Sequence, residues 1–230
     1  MTGQVKSKQR VVDHGEVFTN EREVNAMLDM VKQETERIES RFLEPACGDG
    51  NFLAEILRRK LAVVKSRYGK SVSDYEKYAF VAVASIYGVE LLEDNTEACR
   101  QRLMEIVEND YKPVCKKSLN PKFLAAVRFV LSRNILCGDA LTLLQNDGEP
   151  IIFSEWSLIT GDKVKRRDFR LDEMLQGNTE ETGMLSLFGA SGAPTTEWEY
   201  DEETKSYIPC PIYEYAVVSL YEVENNVKSI

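Results

Sequence analysis

The residue types best suited to holding a ligand are concentrated in one stretch, Phe42-Leu43-Glu44-Pro45-Ala46-Cys47-Gly48-Asp49-Gly50-Asn51-Phe52-Leu53. Its pattern predicts the end of a buried strand, a tight glycine turn and the opening of a helix. Such a turn offers unpaired backbone N–H groups and the positive end of a helix dipole to a carboxylate or phosphate. Gly48 and Gly50 lack a Cβ, so a ligand can lie against the backbone. A dinucleotide fingerprint would need a third glycine three positions after Gly50, where Leu53 stands, which argues against NAD or FAD. A Walker loop would need Gly-Lys-Ser/Thr at the helix start, where Asn51-Phe52 stands.

The elements around this stretch alternate between strands and amphipathic helices. Asn20 and Glu23 form a capping box ahead of a helix with apolar residues at Val24, Met27, Leu28, Val31 and Ile38. Arg41 to Glu44 is a first strand, followed by a helix with Phe52, Leu53, Ile56, Leu57, Leu61 and Val64 on one face. After a polar interval, Lys65 to Lys77, a strand around Val81 to Val89 ends at Glu90. An acidic residue at this place can accept from ribose hydroxyls, although 40 residues separate Gly50 from Glu90, against about 20 in the dinucleotide case. An additional stretch of helix or an insertion must fill the interval.

Asp94 to Val107 is a further helix, capped by Asp94 with Glu97, and Asn120-Pro121 starts another that runs through Leu131. A third strand, Asn134 to Cys137, ends in Gly138-Asp139. The alternation predicts βαβ units and a parallel sheet that binds ligands at the carboxyl ends of its strands, where Glu44, Glu90 and Asp139 fall.

The acidic residue, three-residue gap, Gly-any-Gly arrangement resembles motif I of the S-adenosylmethionine-dependent methyltransferases. The fuller string, Glu44 to Phe52, resembles the adenine-N6 DNA methyltransferases of restriction-modification systems. The resemblance covers roughly residues 15 to 145 and implies an α/β, Rossmann-like class I methyltransferase fold with a mostly parallel sheet flanked by helices. It implies S-adenosylmethionine as cofactor, bound by Glu44, Pro45, Ala46, Gly48, Gly50 and Phe52, with Glu90 on the ribose and Asp139 on the adenine amino group. Phe18 and Thr19 match the family's motif X, which contacts the methionine end, although Asn20 replaces its proline.

The family's catalytic motif, a polar residue followed by Pro-Pro and an aromatic, is missing, since the chain contains no Pro-Pro. In that motif a flipped adenine stacks on the ring while the polar group and a proline carbonyl accept from its amino group. The equivalent place, Pro150 to Ser157, looks like a fourth strand running into Ser154-Glu155-Trp156. Either Ser154 and Trp156 supply the polar acceptor and the stacking ring, or this is a buried strand with Trp156 in the core or at a contact surface.

The division expected is a mobile N-terminus over 1–14, a cofactor domain over 15–175, a linker or mobile loop over 176–197 and a β-rich C-terminal appendage over 198–230. The linker includes the apolar patch Met184 to Phe188, and Trp198 to Tyr200 with Ser206 to Ile208 suggest a hairpin.

The formal charge of −9 is unusual for a protein that binds nucleic acid. Basic residues nonetheless cluster at Lys163, Lys165, Arg166, Arg167 and Arg170, and again from Arg58 to Lys70, as DNA contacts or as solvated surface. No apolar run approaches the ~20 residues needed to span a bilayer, and a cytoplasmic location is the default. Five scattered cysteines and one histidine suggest neither a disulfide framework nor a metal site. The expected partner is DNA, with a separate specificity or catalytic subunit. The alternatives are a non-catalytic subunit or decoy of the same fold, and a methyltransferase for a non-DNA substrate, which suits the acidic charge.

Overall fold

Three parallel strands form the frame. β1 (Phe42–Glu44), β2 (Ile86–Glu90) and β3 (Ile135–Asp139) lie in chain order, with Leu43 opposite Tyr87 and Val89 opposite Leu136. β4 (Leu144–Gln145) adds antiparallel to β3. The computed structural model describes residues 10, 12, 19–115, 118–176, 198–201 and 206–226. Phe18, most of the expected mobile N-terminus and residues 177–197, with the apolar patch of the expected linker, lie outside the described residues.

Each crossover is a pair of helices. α3 (Asn51–Tyr68) and α4 (Val72–Ala84) join β1 to β2, and α5 (Glu93–Cys115) and α6 (Pro121–Asn134) join β2 to β3. Both crossovers step the same way along the sheet, and right-handed crossovers then put all four helices on one face. The packing agrees: Ile86 and Ile135 enter one core with Leu53, Leu57, Phe80 and Leu103, whereas Tyr87, Val89 and Leu136 belong to a second.

The second face is covered by a hairpin. β5 (Ile152–Thr160) pairs antiparallel with β6 (Lys163–Arg170), and Ile151, Phe153 and Leu171 close over Tyr87, Val89 and Leu136. The far half of the hairpin packs on the helical layer, where Trp156 meets Phe80 and Phe129 edge-on at 5.9 and 6.0 Å. β9 (Tyr213–Glu214) and β10 (Val218–Ser219) both pair with β6. A 3-10 helix over Leu220–Asn225 then buries Leu220 and Val223 in the main core. α7 (Leu171–Gln176) follows β6, and β7 (Trp198–Asp201) pairs with β8 (Ser206–Pro209) as the sequence suggests.

Four expectations need correction. The polar interval and strand expected from Lys65 to Val89 contain helix α4, capped by Ser71, before β2 begins at Ile86. A helix buried on most sides has no polar stripe, so its apolar run cannot be told from a strand. This helix also accounts for the long interval between Gly50 and Glu90. The first helix, α1 (Glu21–Asp29), is capped by Asn20 as expected but ends early; α2 (Lys32–Thr35) follows, and Ile38 is buried outside both. The expected fourth strand is a hairpin arm in a separate sheet, because the exposed face of the first sheet needs a cover. Residues 213–225 are not an appendage, since they complete both the hairpin sheet and the helical core.

The buried carboxylate of Glu76 on α4 ties the end of the chain down. It accepts from the Tyr111 and Tyr221 hydroxyls, the latter at 2.6 Å, and from the Asn120 amide at 3.3 Å. Lys60 of α3 is also fully buried, and its Nζ donates to the Ile38 and Ser40 carbonyls and to Ser85 Oγ.

Candidate functional site

β1 delivers the chain into a turn whose backbone favours glycine. Gly48 and Gly50 have φ of +55° and +88°, in the left-handed region where a Cβ is strained. The turn is closed by Gly50 N–H donating to Cys47 C=O at 2.8 Å and docked on β2 by Cys47 N–H donating to Val89 C=O at 3.0 Å. Gly50 is the N-cap of α3 and has no side chain to cap it, and no acidic residue occupies the first turn. The first N–H groups of α3 are therefore without the usual side-chain acceptor.

Glycine also makes room for sulfur. A Cβ at Gly50 would stand 2.6 Å from Cys99 Sγ, and one at Gly88 would stand 2.9 Å from Cys47 Sγ. The Cys47 thiol donates to Gly48 C=O, and the neighbouring Cys99 thiol together with burial pushes Cys47 far above the ordinary thiol range. Cys47 is thus a packing residue and not a nucleophile.

Glu90, buried at the end of β2, binds the turn directly. One carboxylate oxygen accepts from Gly48 N–H at 2.9 Å; the other accepts from Leu92 N–H at 3.1 Å and Asn95 Nδ2 at 3.2 Å. An ionised carboxylate has about four acceptor positions, so three are used and roughly one is left for a ligand hydroxyl. Glu44, at the end of β1, is half-buried, and burial raises its carboxyl above the usual range. Asp139, at the end of β3, is half-buried and uses one oxygen to accept from Leu141 N–H at 2.8 Å.

Four of the residues expected to bind a cofactor are therefore gathered at one sheet edge: Glu44 and Glu90 with Asp139 at neighbouring strand ends, and Gly48 against Glu90. Gly50 starts the adjacent helix. Pro45 and Ala46 are exposed on the turn, and Phe52 is half-buried against the helical core. Thr19 is brought to the turn from the other side, its carbonyl accepting from Asn51 Nδ2 at 3.0 Å.

Sequence reasoning missed several neighbours. Leu91 and Leu141, just beyond Glu90 and Asp139, are 47% and 72% exposed, and an apolar residue so soon after an acidic strand end is the signal that was available in the sequence. Arg102 on α5 donates to Asp49 at 2.7 Å and to Asn51 Oδ1 at 2.6 Å, a pairing for which the sequence carries no sign.

Ser154 and Trp156 are not part of this cluster. Ser154 is buried in the hairpin, donating to Asp168 at 2.7 Å and accepting from Arg166 Nε at 3.0 Å. The Trp156 ring is only 8% exposed and is enclosed by Phe80, Phe129 and the Arg166 guanidinium, so no base can stack on it as it stands.

Most of the basic segment is also engaged internally. Arg166 is buried against Asp168 at 2.8 Å and lies over the Tyr215 ring at 4.1 Å. Arg167 pairs with Glu155 at 2.9 Å, Lys165 with Glu214 at 2.9 Å and Arg170 with Asp172 at 2.6 Å, while Lys163 is exposed. In the other cluster Arg59 pairs with Asp29 and Glu55, and Lys65 with Asp110. Alternation explains the burial of Arg166, since every second residue of a strand in a covered hairpin faces inward, while Lys165 and Arg167 lie on the other face of β6.

Among the described residues no helix is long and apolar enough to cross a membrane, and no group of three His, Cys, Asp or Glu side chains could hold a metal. The chain matches no protein-family model, no curated protein and no solved structure.

Proposed function

We propose that the chain binds S-adenosylmethionine and is a methyltransferase-fold protein of the DNA adenine-N6 type, acting with a partner in a restriction-modification setting. The observation that carries this reading is the convergence of Glu44, Glu90 and Asp139 at the carboxyl ends of adjacent parallel strands, around a glycine turn tied to Thr19. Ligands of open α/β sheets bind at such strand ends.

The donors and acceptors fit the cofactor's chemistry. The remaining acceptor position of Glu90 suits a ribose hydroxyl, and the unused carboxylate oxygen of Asp139 suits an adenine amino group. Leu91 and Leu141 offer apolar surface to the two faces of a purine, and the uncapped start of α3 offers N–H groups. When bound, the cofactor supplies a methyl group on a positively charged sulfur. The half-buried Glu44 beside the turn favours that positive charge, and the Thr19 segment borders the site at the end away from Asp139.

A second reading is favoured by the packing of Ser154 and Trp156: a subunit that holds the cofactor but leaves the chemistry, or the choice of DNA sequence, to a partner. Calorimetric titration with S-adenosylmethionine, followed by radiolabelled methyl transfer to mixed-sequence duplex DNA, tests both. Binding with transfer supports the first reading and binding without transfer the second; absence of binding removes both. A non-DNA substrate would show itself as the lack of a DNA affinity with the steep salt dependence that phosphate contacts produce.

A further inference from the structure

The glycine turn reaches Thr19 through the Asn51 amide, which is itself held by the Arg102 guanidinium. We propose that Arg102 is a positioning residue that sets the separation between the Thr19 segment and the turn, and so favours a ligand long enough to touch both. The inference rests on the cofactor reading above.

One Arg102 terminal nitrogen donates to Asp49 Oδ2 at 2.7 Å; the other donates to Asn51 Oδ1 at 2.6 Å and to Asp49 Oδ1 at 3.4 Å. Pinning the oxygen of the Asn51 amide decides which way the amide points. Its only remaining hydrogen-bonding group is Nδ2, which donates to Thr19 C=O at 3.0 Å. The guanidinium is thereby read out two hydrogen bonds away, through the one intervening residue Asn51, at the backbone just before α1.

The planar fork is what permits this, since two acceptors on different residues must be met in fixed directions and a lysine ammonium has no such geometry. The pair is a weak source of stability. Arg102 and Asp49 side chains are 34% and 21% exposed, and partly exposed ion pairs contribute little. Its consequence is geometric instead.

α5 grips the turn at a second point. Cys99 precedes Arg102 by three residues, so both lie on one face of the helix. The Cys99 sulfur fills the hollow at Gly50 while Arg102 holds Asp49 and Asn51. The turn is therefore fixed from α5, and the Thr19 segment is fixed from the turn.

The test compares two ligands by calorimetry: S-adenosylmethionine and 5′-methylthioadenosine, which lacks the amino-acid end. Arg102→Met should weaken S-adenosylmethionine by about tenfold, the worth of one charge-assisted hydrogen bond, and 5′-methylthioadenosine by no more than about twofold. Asn51→Asp keeps an acceptor for Arg102 but loses the donor to Thr19, and it should give the same split without disturbing the ion pair. Equal losses for the two ligands, or unchanged S-adenosylmethionine affinity in both variants, would overturn the positioning role while leaving the cofactor reading intact. A wild-type protein that binds neither ligand would overturn that reading and this inference together.

Discussion

Glu90, at the end of β2, accepts the backbone N–H of Gly48 at 2.9 Å, so the acidic strand end and the glycine turn form one hydrogen-bonded unit. Removing the carboxylate acts twice. Glu90→Ala deletes the expected ribose acceptor and also removes the acceptor that the Gly48 and Leu92 N–H groups and the Asn95 amide share. S-adenosylmethionine binding should weaken by about 1–3 kcal/mol, and stability should fall by a similar amount. Calorimetry and urea denaturation measure the two separately. Unchanged affinity would count against the cofactor assignment even if stability drops.

Trp156 is placed to hold the hairpin on the helices. Trp156→Ala should cost about 3–5 kcal/mol in denaturant unfolding, as for other buried aromatics, whereas Trp156→Phe should cost far less because a ring still meets Phe80 and Phe129. If the methylation assay detects activity, Trp156→Phe should retain it. A stable Trp156→Ala protein with lost activity would instead restore the stacking role.

Asp168 accepts from Ser154, Arg166 and Tyr215 in a buried setting. Asp168→Ala leaves the Arg166 charge buried without its partner and should destabilise the fold by about 3–5 kcal/mol. The double change Arg166→Met with Asp168→Leu removes both charges and should recover much of that loss. Denaturant midpoints of the single and double variants decide it; a double variant as unstable as the sum of its parts would mean the pair has no special coupling.

Stability should depend on pH through Lys60. Burial lowers its pKa from 10.5 to about 7, partly opposed by Glu39 and Glu34. Between those values the unfolded chain holds a proton that the folded chain has lost. Raising the pH therefore stabilises the fold, by up to about 1.4 kcal/mol per pH unit. Below the folded value this dependence vanishes and the full cost of the buried charge is present. Cys47 and Tyr75, Tyr87, Tyr111 and Tyr221 are shifted upward, so the unfolded chain loses their protons first and stability falls above the ordinary thiol and phenol values of 9.0 and 10.0. Urea midpoints should rise from about pH 7 to about 9 and then decline, and Lys60→Met should flatten the rise. A flat wild-type profile over that interval would show that the lysine keeps its proton in the fold.

Local features of the chain were the legible ones. The strand ends at Glu44, Glu90 and Asp139 follow from apolar runs that stop at an acidic residue, and the turn at Gly48 and Gly50 follows from residue type alone. The caps at Asn20 and Asn120 are equally local, each side chain accepting from an N–H two or three residues on. Helix α4 was not legible, because burial on most sides erases the period that separates a helix from a strand. Nor was the destination of β5. Nothing within Pro150 to Ser157 records that one sheet face lies bare after two crossovers in the same direction. Arg102 was the least visible, since its partners lie 51 and 53 residues away and the sequence around it is that of an ordinary charged helix.

The hydrogen bond from Tyr221 to Glu76 spans 145 residues, and it gives the molecule a timetable. On a ribosome adding about 5–20 residues per second, Tyr221 is made roughly 7 to 30 s after Glu76. During that wait α4 and α6 exist, but Leu220 and Val223 are not there to cover them. The emerging chain therefore carries an open core and a half-partnered buried acid until its closing segment clears the exit tunnel, and in that interval it needs shelter from aggregation and proteolysis.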